Sequence, residues 1–410
     1  MNLSNKELYG EVFTPLHIVK DMMAQIPSWE GSVLEPTCGN GNFIIEILKE
    51  KLKIQSVEDS LKSITGYDIL DKNVEETRIK IEDLLNTNKY NSLINVFKAD
   101  FLNTDIKYHD IIIGNPPYQK MNGGFNKSAQ PYYPEFVEKC LKLNPKYFSM
   151  IIPSRWFYRT KGVTGFYDLM VEQNIKSIKH YDTYDKVFEN TSIAGGVSYF
   201  LIEKGYKGAC CFNGVMRNLK QHDIIISNND YLSVLNYVLS NYQVFFNKFV
   251  LPGKPFGVRG NHKEEPSNYS IECYFQQKEI KLVSTYTDKF NVKSKYKVCS
   301  GKTSSERNLE VDKEGRRRVF NNVFIIEPGK ICSETYLVLA AFDTLKEAEN
   351  CISYLKTKFA RFLLGVSMGT QDLSKDKFRY VPYVDFNKEY SDLDFENNIV
   401  DKYIKPYYKK

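Results

Sequence analysis

Val33-Leu34-Glu35-Pro36-Thr37-Cys38-Gly39-Asn40-Gly41-Asn42-Phe43 passes from a short apolar strand, through a turn with two glycines, into helical periodicity. A strand that ends in such a turn and feeds a helix is the opening unit of an alternating α/β protein. Outward from it, strands are expected at Ser32–Glu35, Ser63–Ile69, Asp110–Gly114, Tyr147–Ile152, Ile175–Tyr181 and Gly196–Glu203. Helices are expected at Gly41–Leu52 and Asp71–Asn86, where apolar residues recur every three or four positions. The fold class is therefore α/β, a doubly wound mixed sheet that is mainly parallel. Ligands of such sheets lie beyond the carboxyl ends of the strands, where the strand order reverses.

The loops at those ends carry the chemistry. Gly39 and Gly41 let a ligand approach the backbone, and Glu35 at the strand end can hold an ammonium group. The turn is not the dinucleotide fingerprint, because Ile44 stands at its third glycine position, so NAD is disfavoured. Asp68 follows the second strand, where an acid accepts from ribose hydroxyls. Asp100 can accept from an adenine amino group while Phe101 lines the ring; each acid could equally be a helix cap. The most specific signal is Asn115-Pro116-Pro117-Tyr118, directly after Ile111-Ile112-Ile113-Gly114. Two prolines fix the backbone and remove two donors. The Asn115 side-chain oxygen and the Pro116 carbonyl then form a pair of acceptors for an amino group, and Tyr118 offers a flat face to a planar base. The competing reading is a plain turn, since Asn-Pro is a common turn starter.

At 410 residues, two or three domains are expected, and 42% hydrophobic with 26% charged residues describes a globular chain. Eight cysteines and five histidines are scattered without a C-x-x-C pair, which argues against a disulfide framework or a structural metal and fits a reducing cytoplasm. No apolar run approaches the ~20 residues of a membrane helix, and Met1 to Lys6 lacks a signal-peptide core. Gly301-Lys302-Thr303 is no phosphate loop, because Tyr296 stands where that pattern needs glycine. Charge is uneven: residues 206–330 hold 20 Lys and Arg against 12 Asp and Glu, a balance of +8 in a chain of net +6. A polyanion is expected to dock on that half.

Taken together, the loops resemble the gamma class of N6-adenine DNA methyltransferases in the TaqI-like arrangement, over roughly the first two hundred residues. The resemblance implies a Rossmann-like methyltransferase domain at 1–206 and an α+β DNA target-recognition domain at 207–410. It implies S-adenosylmethionine as cofactor, with Thr14 (in Gly10-Glu11-Val12-Phe13-Thr14-Pro15) on the methionine carboxylate, Glu35 on the methionine end, Asp68 on the ribose and Asp100 on the adenine. Cys38, Gly39, Gly41, Ile69, Phe101 and Asn115 are grouped with them as cofactor contacts. Asn115, Pro116, Pro117 and Tyr118 become the catalytic motif. Phe188, in Lys186-Val187-Phe188-Glu189, matches the aromatic that packs the flipped base against Tyr118. Tyr147–Phe157, Glu327–Leu339 and Phe362 to Phe386 also look like the methylase part of fused type IIG restriction–modification enzymes. The implied partners are double-stranded DNA and a separate cognate restriction endonuclease, with no membrane.

The alternatives are an RNA adenine methyltransferase and a catalytically inactive DNA-specificity subunit; no Pro-Cys pair is present to attack a cytosine ring. After Lys207 the alternation fades, apart from one helix expected at Leu345–Leu364. Within that half Lys289–Arg318 carries ten basic residues against four acidic ones. Arg316, Arg317 and Arg318 are its candidate DNA contacts, against the alternative of a solvated hairpin. Arg155 and Trp156 are weaker candidates, and Gly123-Gly124 suggests a flap.

Overall fold

The computed structural model describes residues 12–120, 130–160, 162–182, 187–188, 195–264, 267–303, 319, 323–370 and 372–395. They divide into two compact units, the first ending at Ile225 and the second starting at Ile226. The strands of the first unit are β1 (Val33–Glu35), β2 (Ile64–Asp68), β3 (Val96–Lys98), β4 (Ile111–Gly114), β5 (Gln119–Lys120), β6 (Gln130–Pro131), β7 (Tyr147–Pro153), β8 (Ser177–Tyr181), β9 (Val197–Glu203), β10 (Cys210–Phe212) and β11 (Val215–Arg217). All but the β5–β6 pair join one nine-stranded sheet in the order β11-β10-β8-β9-β7-β4-β1-β2-β3. β7, β4, β1, β2 and β3 run parallel, and β9 lies antiparallel between β7 and β8. The central strands are buried along their whole length and mostly apolar: every residue of β4 and β7 is buried.

The six expected strands are all present within a residue or two of their expected bounds, as are helices Asn42–Lys51 and Asp71–Leu85. The first unit reaches beyond the expected limit at residue 206. β10 pairs with β8 through Cys211–Ser177 and Phe212–Ile178, and β11 folds back on β10. Asn213 and Gly214, both at positive φ (46° and 82°), make that hairpin turn.

Among the described residues the second unit holds two three-stranded sheets and three α-helices, an α+β arrangement. Its strands are β12 (Ile271–Tyr274), β13 (Ile280–Val283), β14 (Tyr296–Gly301), β15 (Val323–Ile326), β16 (Ile331–Cys332) and β17 (Tyr336–Phe342). Their orders are β13-β12-β16 and β15-β14-β17. Phe256, Phe275, Val283, Cys299, Ile326 and Val338 form the core around them. The single helix expected at Leu345–Leu364 is two, Leu345–Lys356 and Lys358–Val366. Thr357 breaks it: with ψ at 151° it leaves the helical region, donates its hydroxyl to the Tyr354 carbonyl at 2.7 Å and accepts from the Ala360 N–H at 3.2 Å. It ends one helix and caps the next.

Candidate functional site

The strand order reverses between β1, which leads on to β2 and β3, and β4, which leads on to β7. A pocket of about 330 Å³ opens at the carboxyl ends of these strands. Its walls include Thr14, Cys38, Gly39, Asp68, Ile69, Asp100, Phe101, Asn115, Pro116, Pro117 and Tyr118, so most of the residues singled out from the sequence meet there. The register explains why. β1 pairs Glu35 with Gly66, and β2 pairs Asp68 with Lys98, so the loops that follow open on one side of the sheet.

Asp68 organises that side. One oxygen accepts the Gly39 N–H at 2.9 Å; the other accepts the Leu70 N–H at 2.9 Å and the Asn73 amide at 3.1 Å. A carboxylate accepts about four hydrogen bonds, so it has capacity left for a hydroxyl. Asp100 caps the short 3₁₀ turn Phe101–Asn103, accepting the Leu102 N–H at 3.0 Å and the Asn103 amide at 2.6 Å. The capping role and the pocket-lining position thus belong to the same side chain. Phe101 stacks on Phe136, centroids 5.8 Å apart and planes at 15°, which makes a flat apolar end to the pocket.

Asn115 is held at two points. Its Nδ2 donates to the Val12 carbonyl at 2.9 Å, and its own carbonyl accepts the Thr37 hydroxyl at 3.0 Å. Its Oδ1 is buried without a hydrogen-bond partner. Facing Val12 with nitrogen is the only favourable choice for the amide, because the opposite orientation sets two acceptors against each other. The oxygen is therefore a fixed acceptor awaiting a donor. Gly114 permits this packing, since a Cβ there would sit 2.3 Å from Glu35 Oε1.

Two expected contacts lie elsewhere. Glu35 is wholly buried beneath the pocket wall; its Oε1 accepts the Thr37 N–H at 3.3 Å and its Oε2 has no partner. Burial pushes its carboxyl well above the ordinary value of 4.5, the Thr37 N–H opposing this in part. Such a group is suited to a cation that would draw it into the charged form. Gly41 is also behind the wall: at φ +83° it opens helix Asn42–Lys51, and a Cβ there would strike the Thr77 hydroxyl at 2.8 Å. Its glycine serves the turn and the contact with Thr77, not ligand approach.

Phe188 touches Tyr118, but edge to face, with centroids 6.2 Å apart and planes at 72°. The two rings rest against each other, so a planar group entering between them must first part them. Trp156 is interior, packed on Phe157 and Phe166, and is not a surface contact. Of the basic stretch in the second unit, Lys297 is buried. Its ammonium is given to the carbonyls of Lys293, Lys295 and Glu327 at 3.0, 2.6 and 3.1 Å, and burial lowers its pKa to about 8. Gly10, Glu11, Gly123, Gly124, Lys186, Glu189, Arg316, Arg317 and Arg318 lie outside the described residues.

Sequence reasoning missed Phe13, Asn73, Lys120, Tyr132 and Phe136 in the pocket wall. Tyr132 and Phe136, four apart at a helix start and 5.2 Å edge to face, carry only the signature of a packed helix. Among the described residues no three His, Cys, Asp or Glu side chains converge as a metal site, and no helix is long and apolar enough to cross a membrane.

The sheet order and the pocket at its switch point define a doubly wound, Rossmann-like α/β domain. Within it, residues 37–188 match the family model of the Eco57I restriction-modification methylase. An uncharacterized adenine-specific methylase of Mycoplasma pneumoniae is 32% identical over 170 residues, 40% of this chain and 38% of that protein. Modification methylase CviBIII of Paramecium bursaria Chlorella virus NC1A is 27% identical over 205 residues, 46% of this chain and 49% of that one. The chain thus spans less than half the length of these curated relatives. The cryo-EM structure of the DrdV–DNA complex shares the fold at a TM-score of 0.50 and 11% identity, over 93% of this chain and 56% of that one.

Proposed function

We propose that the chain is a site-specific DNA adenine N6-methyltransferase that uses S-adenosylmethionine and acts on an adenine turned out of duplex DNA. The observation that carries this reading is the Asn115 side-chain oxygen, buried, unpartnered and fixed in direction by the Val12 carbonyl.

When bound, S-adenosylmethionine supplies a methyl group on a positively charged sulfur. Thr14, Asp68, Ile69, Asp100 and Phe101 are the residues that would hold it along the pocket. Asn115 Oδ1 and the Pro116 carbonyl accept the two N–H bonds of an exocyclic amino group. Accepting both enriches the nitrogen and turns its lone pair away from the acceptors. Tyr118 and Phe188 part to take the ring between them. The base must leave the stack because N6 is out of reach within the duplex. Holding acceptor and donor in line supplies much of the rate, so the rigidity of the Asn115 loop is itself catalytic.

The second unit is read as the target-recognition domain, its basic residues meeting phosphates and a few side chains reading bases. A separate restriction endonuclease is the expected companion. The test is to incubate the chain with labelled S-adenosylmethionine and duplex DNA, digest the product and analyse the nucleosides by mass spectrometry. N6-methyladenine is expected. Methylcytosine, modification of RNA alone, or DNA binding without any methylation would refute the reading.

A further inference from the structure

Resting on the reading that the pocket holds S-adenosylmethionine, we propose that Lys139 is a positioning residue that sets the base end of that pocket. It lies on helix Tyr133–Lys142, and its ammonium donates to three carbonyls of one loop: Phe101 at 2.6 Å, Leu102 at 3.1 Å and Thr104 at 2.5 Å. An ammonium has three N–H donors, and all three are used.

The loop needs this. Phe101–Asn103 is a single 3₁₀ turn, too short to be stable alone, its backbone closed only by the Asn103 N–H on the Asp100 carbonyl at 3.0 Å and the Thr104 N–H on the Phe101 carbonyl at 3.3 Å. Asp100 secures the front of the turn and Lys139 the back. The same nitrogen sits 4.8 Å from the centroid of the Phe101 ring, and Phe136, one turn earlier on the helix, stacks on that ring. Asp100 and Phe101 line the pocket whereas Lys139 does not, so its effect reaches a ligand only through them.

The helix also holds the catalytic loop. Tyr132, directly before it, donates its N–H to the Tyr118 carbonyl at 2.9 Å. One element therefore fixes both the wall that faces the cofactor's base and the loop that grips the target. Lys139 is the bond between that element and the wall.

The experiment is calorimetric binding of S-adenosylhomocysteine and of adenosine to wild type, Lys139→Met and Lys139→Arg. Methionine keeps the stem and removes all three bonds. Both dissociation constants are expected to rise together, by about tenfold, because both ligands present the same base. Arginine keeps the charge, but its planar fork cannot meet three converging carbonyls, so it should give a smaller rise in both. If Lys139→Met does not fold, Lys139→Arg carries the comparison. A purely structural role would lower the melting temperature and leave both constants at their wild-type values, and that result overturns the proposal. Weakening of S-adenosylhomocysteine without adenosine overturns it too. Wild-type protein that binds neither ligand is a different outcome, and it removes the pocket assignment on which the proposal stands.

Discussion

Replacing Asn115 by alanine separates what the residue does for the fold from what it does for the reaction. Two things are lost: the 2.9 Å bond from Nδ2 to the Val12 carbonyl and the unpartnered acceptor Oδ1. The first costs about 1 kcal/mol of stability, the net worth of an ordinary hydrogen bond. The second is worth more, since it acts where positive charge grows on the attacking nitrogen; removing one preorganised partner of that kind costs roughly 10²–10³ in rate. The backbone should stay, because the Thr37 hydroxyl still binds the residue-115 carbonyl. Cofactor affinity should therefore change by less than about threefold, under 1 kcal/mol. The assay is single-turnover transfer of labelled methyl to a duplex oligonucleotide, enzyme in excess, beside a calorimetric constant for S-adenosylhomocysteine. A transfer rate within about tenfold of wild type would refute the reasoning, because an acceptor worth that little is not gripping the amino group.

Asp68→Ala frees the Gly39 N–H, the Leu70 N–H and the Asn73 amide together. It should abolish detectable S-adenosylhomocysteine binding and lower the melting temperature, and calorimetry with unchanged affinity would take Asp68 out of the site. Glu35→Gln probes pH. With its folded-state pKa raised, Glu35 contributes stability that is fully present below its ordinary value of 4.5 and is lost as pH rises through the folded value. At alkaline pH the ligand-free Gln variant should therefore melt higher than wild type; equal melting curves across the pH series would contradict the burial argument. Gly114→Ala drives a methyl into Glu35, 2.3 Å from Oε1, and should cost about 1–3 kcal/mol in denaturant melts. Adding Glu35→Ala should return part of it, and strict additivity would show that the two do not touch.

The central strands were legible because a parallel sheet covered on both faces turns its strands into unbroken apolar runs, as in Ile111-Ile112-Ile113. β3 was not, since only Val96 of its three residues is buried. The β10–β11 hairpin had a readable sign, the Asn-Gly pair at 213–214, flanked by strands too short to show alternation. The break at Thr357 depends on one hydroxyl serving two helices, which periodicity does not register. For the site, strand ends located Asp68 and Asn115, because topology brings such ends together. Depth was invisible: Glu35 and Gly41 sit at the right positions along the chain but behind the wall. The wall supplied by Tyr132 and Phe136 comes from a helix whose pattern is that of any packed helix.

The pair Tyr118–Phe188 has a consequence for affinity. On the proposed reading, a planar ring entering there must first separate two aromatics whose mutual contact is worth about 0.5–1.5 kcal/mol. Its apparent affinity is then scaled down by the fraction of molecules in which the rings stand apart, a factor of roughly ten at most.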